Sequence, residues 1–101
     1  MTVSAELANN IDNQRVERLV SEEQYGDAIS LGEQLVLQGQ ATPKTLLQLA
    51  VAHTLTGSLK VAAAHLRHAL QTADGERDAA VIAEGCHWAQ SVLMPQIAAA
   101  D

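Results

Sequence analysis

The sequence predicts an all-α protein, and three features of its composition carry that prediction. The chain has 101 residues, of which 48% are apolar but only 2% are aromatic. Tyr25 and Trp88 are its only aromatic residues, and it contains just two Pro and six Gly. β-Sandwiches and barrels need β-branched and aromatic residues on their pleated faces, whereas small aliphatic side chains suit closely packed helices. Since this length is typical of one domain, we predict a single helical domain over residues 1–101.

Helical periodicity divides the chain into five predicted helices. The first lies within residues 4–20, and residues 21–25 form the turn that follows it. The second runs over about residues 26–38. Gly39 ends it, because glycine readily adopts the left-handed conformation found at helix C-termini.

The third predicted helix has the clearest start signal. Thr42 is a favourable N-cap, and Pro43 follows at the first helical position, where its missing N–H does no harm. This helix should extend to about Leu55. The fourth covers about residues 59–72 and stops at the Asp-Gly pair at 74–75.

The fifth predicted helix begins near Glu76 and continues to Leu93 or Met94. Pro95 should end it, because the proline ring clashes with the carbonyl group four residues back in an α-helix. We therefore expect residues 95–101 to form a flexible tail.

The chain also shows a repeat, since Ala28 and Ala62 are 34 residues apart and small or apolar residues recur at that shift. Residues 43–76 resemble the tetratricopeptide repeat. The matching positions are Leu46, Leu49, Ala50, Gly57, Leu59, Ala62, Leu66, Ala69 and Leu70. This unit departs from the family pattern at His53, where Tyr is usual, and at Asp74, where Pro is usual.

Two further units match the repeat less well. Residues 9–42 form a degenerate copy, with Glu23 in place of the turn glycine and Gly32 where a large apolar residue is expected. Gly inside a helix costs about 0.5–1 kcal/mol relative to Ala, so we expect another backbone to pass close to Gly32. Residues 77–94 match only the first helix of a repeat. The resemblance implies a solenoid of antiparallel helix pairs with about two and a half repeats.

The resemblance also implies a concave face formed by the first helix of each pair. The residues that align with the concave-face positions of the repeat are Asn13, Glu17, Val20, Leu47, Val51, Leu55, Val81, Gly85 and Trp88. Leu47, Val51 and Leu55 follow each other at helical spacing on the third predicted helix (α3, about residues 43–55) and are here called the α3 stripe. Leu46 and Leu49 occupy the packing side of the same helix. A helix that is apolar all round must be covered all round.

The α3 stripe could be buried in three ways that are consistent with the sequence. The N-terminal residues or the segment after Pro95 could fold back over it, two copies of the chain could pair through it, or an amphipathic helix of another protein could bind there. We favour the last, with Val20, Leu47, Val51, Leu55, Val81 and Trp88 as partner-binding residues. Trp is a common anchor in protein interfaces, although a lone Trp at a packing position is usually core.

The sequence thus predicts a non-catalytic adaptor or chaperone, with a self-associating homodimeric module as the alternative. Some tetratricopeptide domains bind a partner's C-terminal carboxylate through polar or basic residues. Leu47 and Val51 stand at those positions here, so this way of binding is not expected. A small acidic chain with an apolar groove resembles the tetratricopeptide-like chaperones of bacterial type III secretion, in fold, size and acidity but not in a diagnostic motif.

Charge and composition exclude several other classes. The net charge is -6, and the six Lys and Arg residues are scattered, so nucleic acid is not an expected partner. No apolar run reaches the roughly 18 residues of a membrane span. The single cysteine and the absence of a signal-like N-terminal pattern favour a cytoplasmic protein.

The sequence offers no catalytic residues and no cofactor or metal site. His65 and His68 could share a helix face, but no Cys, Asp or Glu nearby in that helix completes a ligand set, so we expect exposed histidines without function. Cys86 beside His87 is expected to be a buried structural thiol, because consecutive helical residues point apart. Glu22 and Glu23 are expected to be exposed to solvent. Phosphate loops and nucleophile elbows are absent from the sequence.

Overall fold

The chain is all-α, as the composition predicts. The computed structural model describes residues 2–76 and 78–100, with side chains described for residues 11–76 and 78–99. The helices are α1 (Thr2–Ser21), α2 (Tyr25–Leu37), α3 (Pro43–Leu55), α4 (Leu59–Thr72) and α5 (Ala79–Trp88), followed without interruption by a π turn (Ala89–Leu93) and α6 (Met94–Ala100). The bounds of α3 and α4 agree with the prediction.

Local sequence signals explain where α3 begins. The Thr42 side chain accepts a hydrogen bond from the Thr45 backbone N–H at 3.2 Å. Pro43 occupies the first helical position. These interactions confirm the predicted N-cap and satisfy one of the free N–H groups of the first turn.

The helices α1, α2 and α3 end in the same way. Glu23, Gly39 and Gly57 adopt left-handed conformations with φ of 62°, 70° and 90°. In each case the N–H of that residue donates to the carbonyl three residues back, and the next N–H donates to the carbonyl five back, over 2.7–3.2 Å. This is the Schellman motif, and it confirms the predicted role of Gly39.

The turns at Glu23 and Gly57 are also equivalent in register, since the two residues are 34 positions apart. The residues that follow them, Gln24 and Ser58, share φ of -92° and have ψ of 66° and 69°. The turn between α1 and α2 therefore repeats the turn between α3 and α4, with a strained Glu in place of the glycine.

We expect Glu23→Gly to stabilise the fold by about 0.5–1 kcal/mol, because it removes the clash of a Cβ in the left-handed conformation. Gly57→Ala introduces that clash at the equivalent turn and should destabilise the fold by about 1 kcal/mol. Urea unfolding followed by circular dichroism measures both. If both substitutions changed the free energy of unfolding in the same direction, the two turns would not be equivalent.

Helices that follow each other in the chain pack antiparallel, from α1 to α4. Two pairs of alternate helices are also in contact, α1 with α3 and α3 with α5. The domain measures 50 × 31 × 22 Å. Five core alanines are at most 1% exposed, and their small side chains allow the helices to approach closely: Ala28, Ala50, Ala52, Ala62 and Ala69.

Gly32 lies under Leu49 of the neighbouring helix α3. A Cβ built on Gly32 would lie 2.5 Å from Cδ2 of Leu49, which is itself fully buried. The prediction of a close approach is confirmed, but the group that approaches is a leucine side chain and not a backbone. The glycine makes room for one residue of the core.

The prediction that the chain leaves the helix at Pro95 is wrong. The N–H of Met94 donates to the carbonyl of Ala89, five residues back, which is the bond of a π turn. This wider turn lies directly before Pro95, at the point where an α-helix would press the proline ring against the Ser91 carbonyl. The chain therefore stays helical to Ala100, and only Asp101 of the predicted tail lies outside the described residues.

In the part of the chain that the structure describes, no helix is both long and apolar enough to cross a membrane.

Candidate functional site

The polar end of the predicted concave face is occupied by a hydrogen-bond network centred on Asn13. Its Oδ1 accepts from the Thr42 backbone N–H at 3.1 Å and from the Thr45 hydroxyl at 2.5 Å, while its Nδ2 donates to the Gln40 carbonyl at 3.2 Å. Asn13 is only 8% exposed. It joins α1 to the start of α3 and is not an open groove position.

Glu17, one turn further along α1, forms an ion pair with Lys44 at 3.0 Å. Both side chains are about half exposed, so this pair contributes little stability, on the order of 0–1 kcal/mol. Its effect is to place opposite charges across the junction between α1 and α3.

The α3 stripe is not uniformly open. Leu47 is 2% exposed and lies in a core cluster with Ala50, Ala62, Leu66 and Leu93. Val51 is half-buried, and Leu55 is 53% exposed. The structure therefore places Leu47 inside the domain, and only the C-terminal part of the stripe faces solvent.

The remaining predicted partner-binding residues are half-buried. Val81 and Trp88 pack against the cluster that contains Leu47. Val20 packs against a separate cluster of Val16, Ala28 and Leu35. The structure thus places four of the six predicted residues at two separate cores and does not bring the six together on one exposed surface.

The cover over Leu47 comes from the C-terminal part of the chain. Leu93 in the π turn is 2% exposed and belongs to the same cluster, and Ile97 in α6 packs against it. A Cβ built on Gly85 would lie 3.6 Å from Cδ1 of Leu47, so α5 also lies against this side chain. Of the predicted C-terminal tail, Ile97 packs against the cluster that contains Leu47.

An apolar groove lies between α4 and the C-terminal segment that follows α5, and it is here called the C-terminal groove. It has a volume of about 310 Å³ and is lined by Ala63, Leu66, Arg67, Leu70, Ala89, Leu93, Met94 and Ile97. The α4 residues follow helical spacing along one face, and Met94 is 60% exposed. Ligand pockets span about 300–1,000 Å³, so the groove suits a few side chains better than a large cofactor.

A second feature, here called the His/Glu cluster, joins three helices. Oε1 of Glu33 in α2 lies 3.1 Å from Nε2 of His53 in α3 and 2.6 Å from Nε2 of His65 in α4. The two imidazole rings stack with centroids 5.4 Å apart. Each histidine side chain is 12% exposed, and Glu33 is 38% exposed.

This arrangement corrects the prediction for the histidines. His68 is exposed as expected, but His65 is largely buried, and its carboxylate partner belongs to a different helix. Cys86 is exposed, contrary to the expectation of a buried thiol, while Glu22 and Glu23 are exposed as predicted.

Sequence reasoning missed both the C-terminal groove and the His/Glu cluster. The sequence held one signal for the cluster, since His53 departs from the Tyr usual in the repeat that residues 43–76 resemble, but this signal points to neither Glu33 nor His65. The groove could not have been found from the sequence, because it depends on a helix that continues through Pro95.

The fold and these sites define a small domain of five sequentially packed helices, the fifth consisting of α5, the π turn and α6. It carries an apolar groove and a partly buried His/Glu cluster. Comparison with known proteins gives no match, since no family model fits the chain and no curated protein or solved structure is significantly similar to it.

Proposed function

We propose that this chain is a non-catalytic protein-interaction module that binds one apolar face of a partner's amphipathic helix in the C-terminal groove. The observation that carries the proposal is the lining of that groove. Apolar residues from α4 and from the Ala89–Ile97 segment face each other across it, and Met94 is largely exposed at its edge. Two helices that flank an apolar trough provide the geometry in which a third helix packs.

The repeated turns support a tetratricopeptide-like architecture for the domain. α1 with α2 and α3 with α4 form two helix pairs joined by equivalent turns, and α5 begins a third. Within the described residues, α5 has no second helix to complete its pair. A partner helix in the C-terminal groove would lie against α4 and the end of the α5 segment, and would supply the missing packing.

The charges of the groove and of the whole chain limit which helix of a partner can bind. Arg67 is the charged residue that lines the groove, so it favours a carboxylate beside the apolar face of the bound helix. The net charge of -6 disfavours a partner that is acidic elsewhere. We therefore assign to the groove an amphipathic helix with one acidic residue next to its apolar stripe and a neutral or basic outer face.

The same charges disfavour a homodimer through this groove. A two-fold contact would bring two Arg67 guanidinium groups into one apolar interface and would join two chains of net charge -6. Self-association remains the second candidate function, and Leu55 at 53% exposure is the observation that favours it. Light scattering distinguishes the two, since we expect a monomer at all concentrations and a stable dimer would contradict that expectation.

A synthetic peptide tests the groove directly. The probe is an aromatic-free amphipathic helix of about 18 residues, or ~27 Å, with leucines on one face, one adjacent glutamate and lysines on the outer face. Trp88 is the only tryptophan and packs against the cluster under the groove, so its fluorescence reports binding. We expect saturable one-to-one binding, and none for a scrambled peptide of the same composition.

Three aspartate variants locate the binding site. Met94→Asp should weaken peptide binding at least about tenfold, or ~1.4 kcal/mol, because the carboxylate would be desolvated against leucine. Leu37→Asp is the matched control, since Leu37 is 88% exposed and does not line the groove. Loss of binding in Leu55→Asp but not in Met94→Asp would move the site to the α3 stripe and overturn the proposal.

A further inference from the structure

The His/Glu cluster has the composition and geometry of a metal site. Its three ligand atoms, one from each residue, lie within 4.8 Å of one another. Both imidazole Nε2 atoms approach the same carboxylate oxygen, so the Nε2 edges of the two rings face one region of space. Zn²⁺ sites bind imidazole nitrogen and carboxylate oxygen at about 2.0–2.2 Å, which small movements of these side chains would allow.

We propose that Glu33, His53 and His65 bind a divalent transition-metal ion, with Zn²⁺ as the expected ion. Two imidazoles and one carboxylate are the ligand set of an open zinc site, in which water fills the fourth position. Mg²⁺ and Ca²⁺ prefer oxygen ligands and are not expected to bind. This proposal is independent of the C-terminal groove, because none of the three ligands lines that groove.

Two rings from different helices meet one carboxylate at this place. Without an ion, one carboxylate oxygen can accept hydrogen bonds from the Nε2–H groups of both neutral rings. The same three atoms could instead coordinate one metal ion, with the proton of each neutral ring on Nδ1.

The surroundings indicate an exchangeable ion. Glu33 is 38% exposed and can move as the ion enters. Within the described part of the chain, Nδ1 of His53 is buried without a hydrogen-bond partner. Metal-binding histidines normally donate this second N–H to an acceptor, and loss of that contact typically weakens binding by about 10–100-fold.

Metal binding should also be linked to folding. The ligands come from three different helices, so the unfolded chain does not present them together, and the ion binds the native state preferentially. Zn²⁺ is expected to raise the melting temperature of the wild-type protein, whereas Mg²⁺ at the same concentration is not.

The experiment uses untagged full-length protein stripped with a chelator and titrated calorimetrically with Zn²⁺, and with Co²⁺ for its visible absorption. We expect one ion per chain. Glu33→Gln preserves the shape of a partly exposed side chain and should fold, as judged by circular dichroism, while weakening Zn²⁺ binding at least about tenfold. His65→Ala should abolish the one-to-one site.

Two control variants exclude surface binding. His68→Ala removes an exposed histidine from the same helix, and Cys86→Ser removes the exposed thiol. Both should bind Zn²⁺ with the affinity of the wild-type protein. Absence of Zn²⁺ binding, wild-type affinity in Glu33→Gln, or a comparable loss in either control would each overturn the proposal.

Discussion

An Asn13→Leu variant is expected to lose about 3 kcal/mol of unfolding free energy, although the two side chains have similar volumes. Leucine cannot accept from the Thr42 N–H and the Thr45 hydroxyl, nor donate to the Gln40 carbonyl. Thr45 is 2% exposed, so solvent does not readily replace the lost partner. The start of α3 would then lose its hydrogen bonds to α1.

Urea unfolding measures this loss, with Gln14→Leu as the control. Gln14 is the exposed neighbour of Asn13 on the same helix, and its substitution should change stability by less than about 0.5 kcal/mol. A loss below about 1 kcal/mol in Asn13→Leu would mean that water satisfies the network as well as Asn13 does.

The second large effect concerns Leu49 and the glycine that makes room for it. Leu49→Ala should destabilise the fold by about 3–4 kcal/mol, because it leaves a cavity in a fully buried position. Gly32→Ala should cost about 1 kcal/mol, since the overpacking against Leu49 exceeds the gain in helix propensity. In the double variant, the methyl group added by Gly32→Ala fits into the space that Leu49→Ala leaves.

A double-mutant cycle tests whether these two residues are in contact. The double variant should be more stable than the sum of the single effects predicts, by about 1–2 kcal/mol. Additive effects would contradict the close approach of Leu49 to Gly32. Thermal unfolding of the four proteins under one set of conditions completes the cycle.

Features encoded within one turn of helix were predictable from the sequence. The Thr42 cap, Pro43 at the first helical position and the left-handed turn at Gly39 each depend on neighbours in the chain. The 34-residue shift likewise predicted which alanines lie at close helix contacts, because it compares positions within equivalent helix pairs.

Features that depend on long-range packing were not predictable. Leu93 joins the core cluster of Leu47 from within a π turn, and a rule based on α-helical geometry at Pro95 does not anticipate that turn. The ligands of the His/Glu cluster lie 20 and 32 residues apart from Glu33 in sequence. No local pattern joins three residues on three separate helices.

Amide chemical-shift mapping with the amphipathic peptide tests the central claim most directly, namely that the C-terminal groove is a protein-binding site. We expect the largest shifts along residues 63–70 of α4 and residues 89–97 of the C-terminal segment, with little change around Leu37. Shifts concentrated at Val51 and Leu55, or no shifts at saturating peptide, would contradict the proposed binding site.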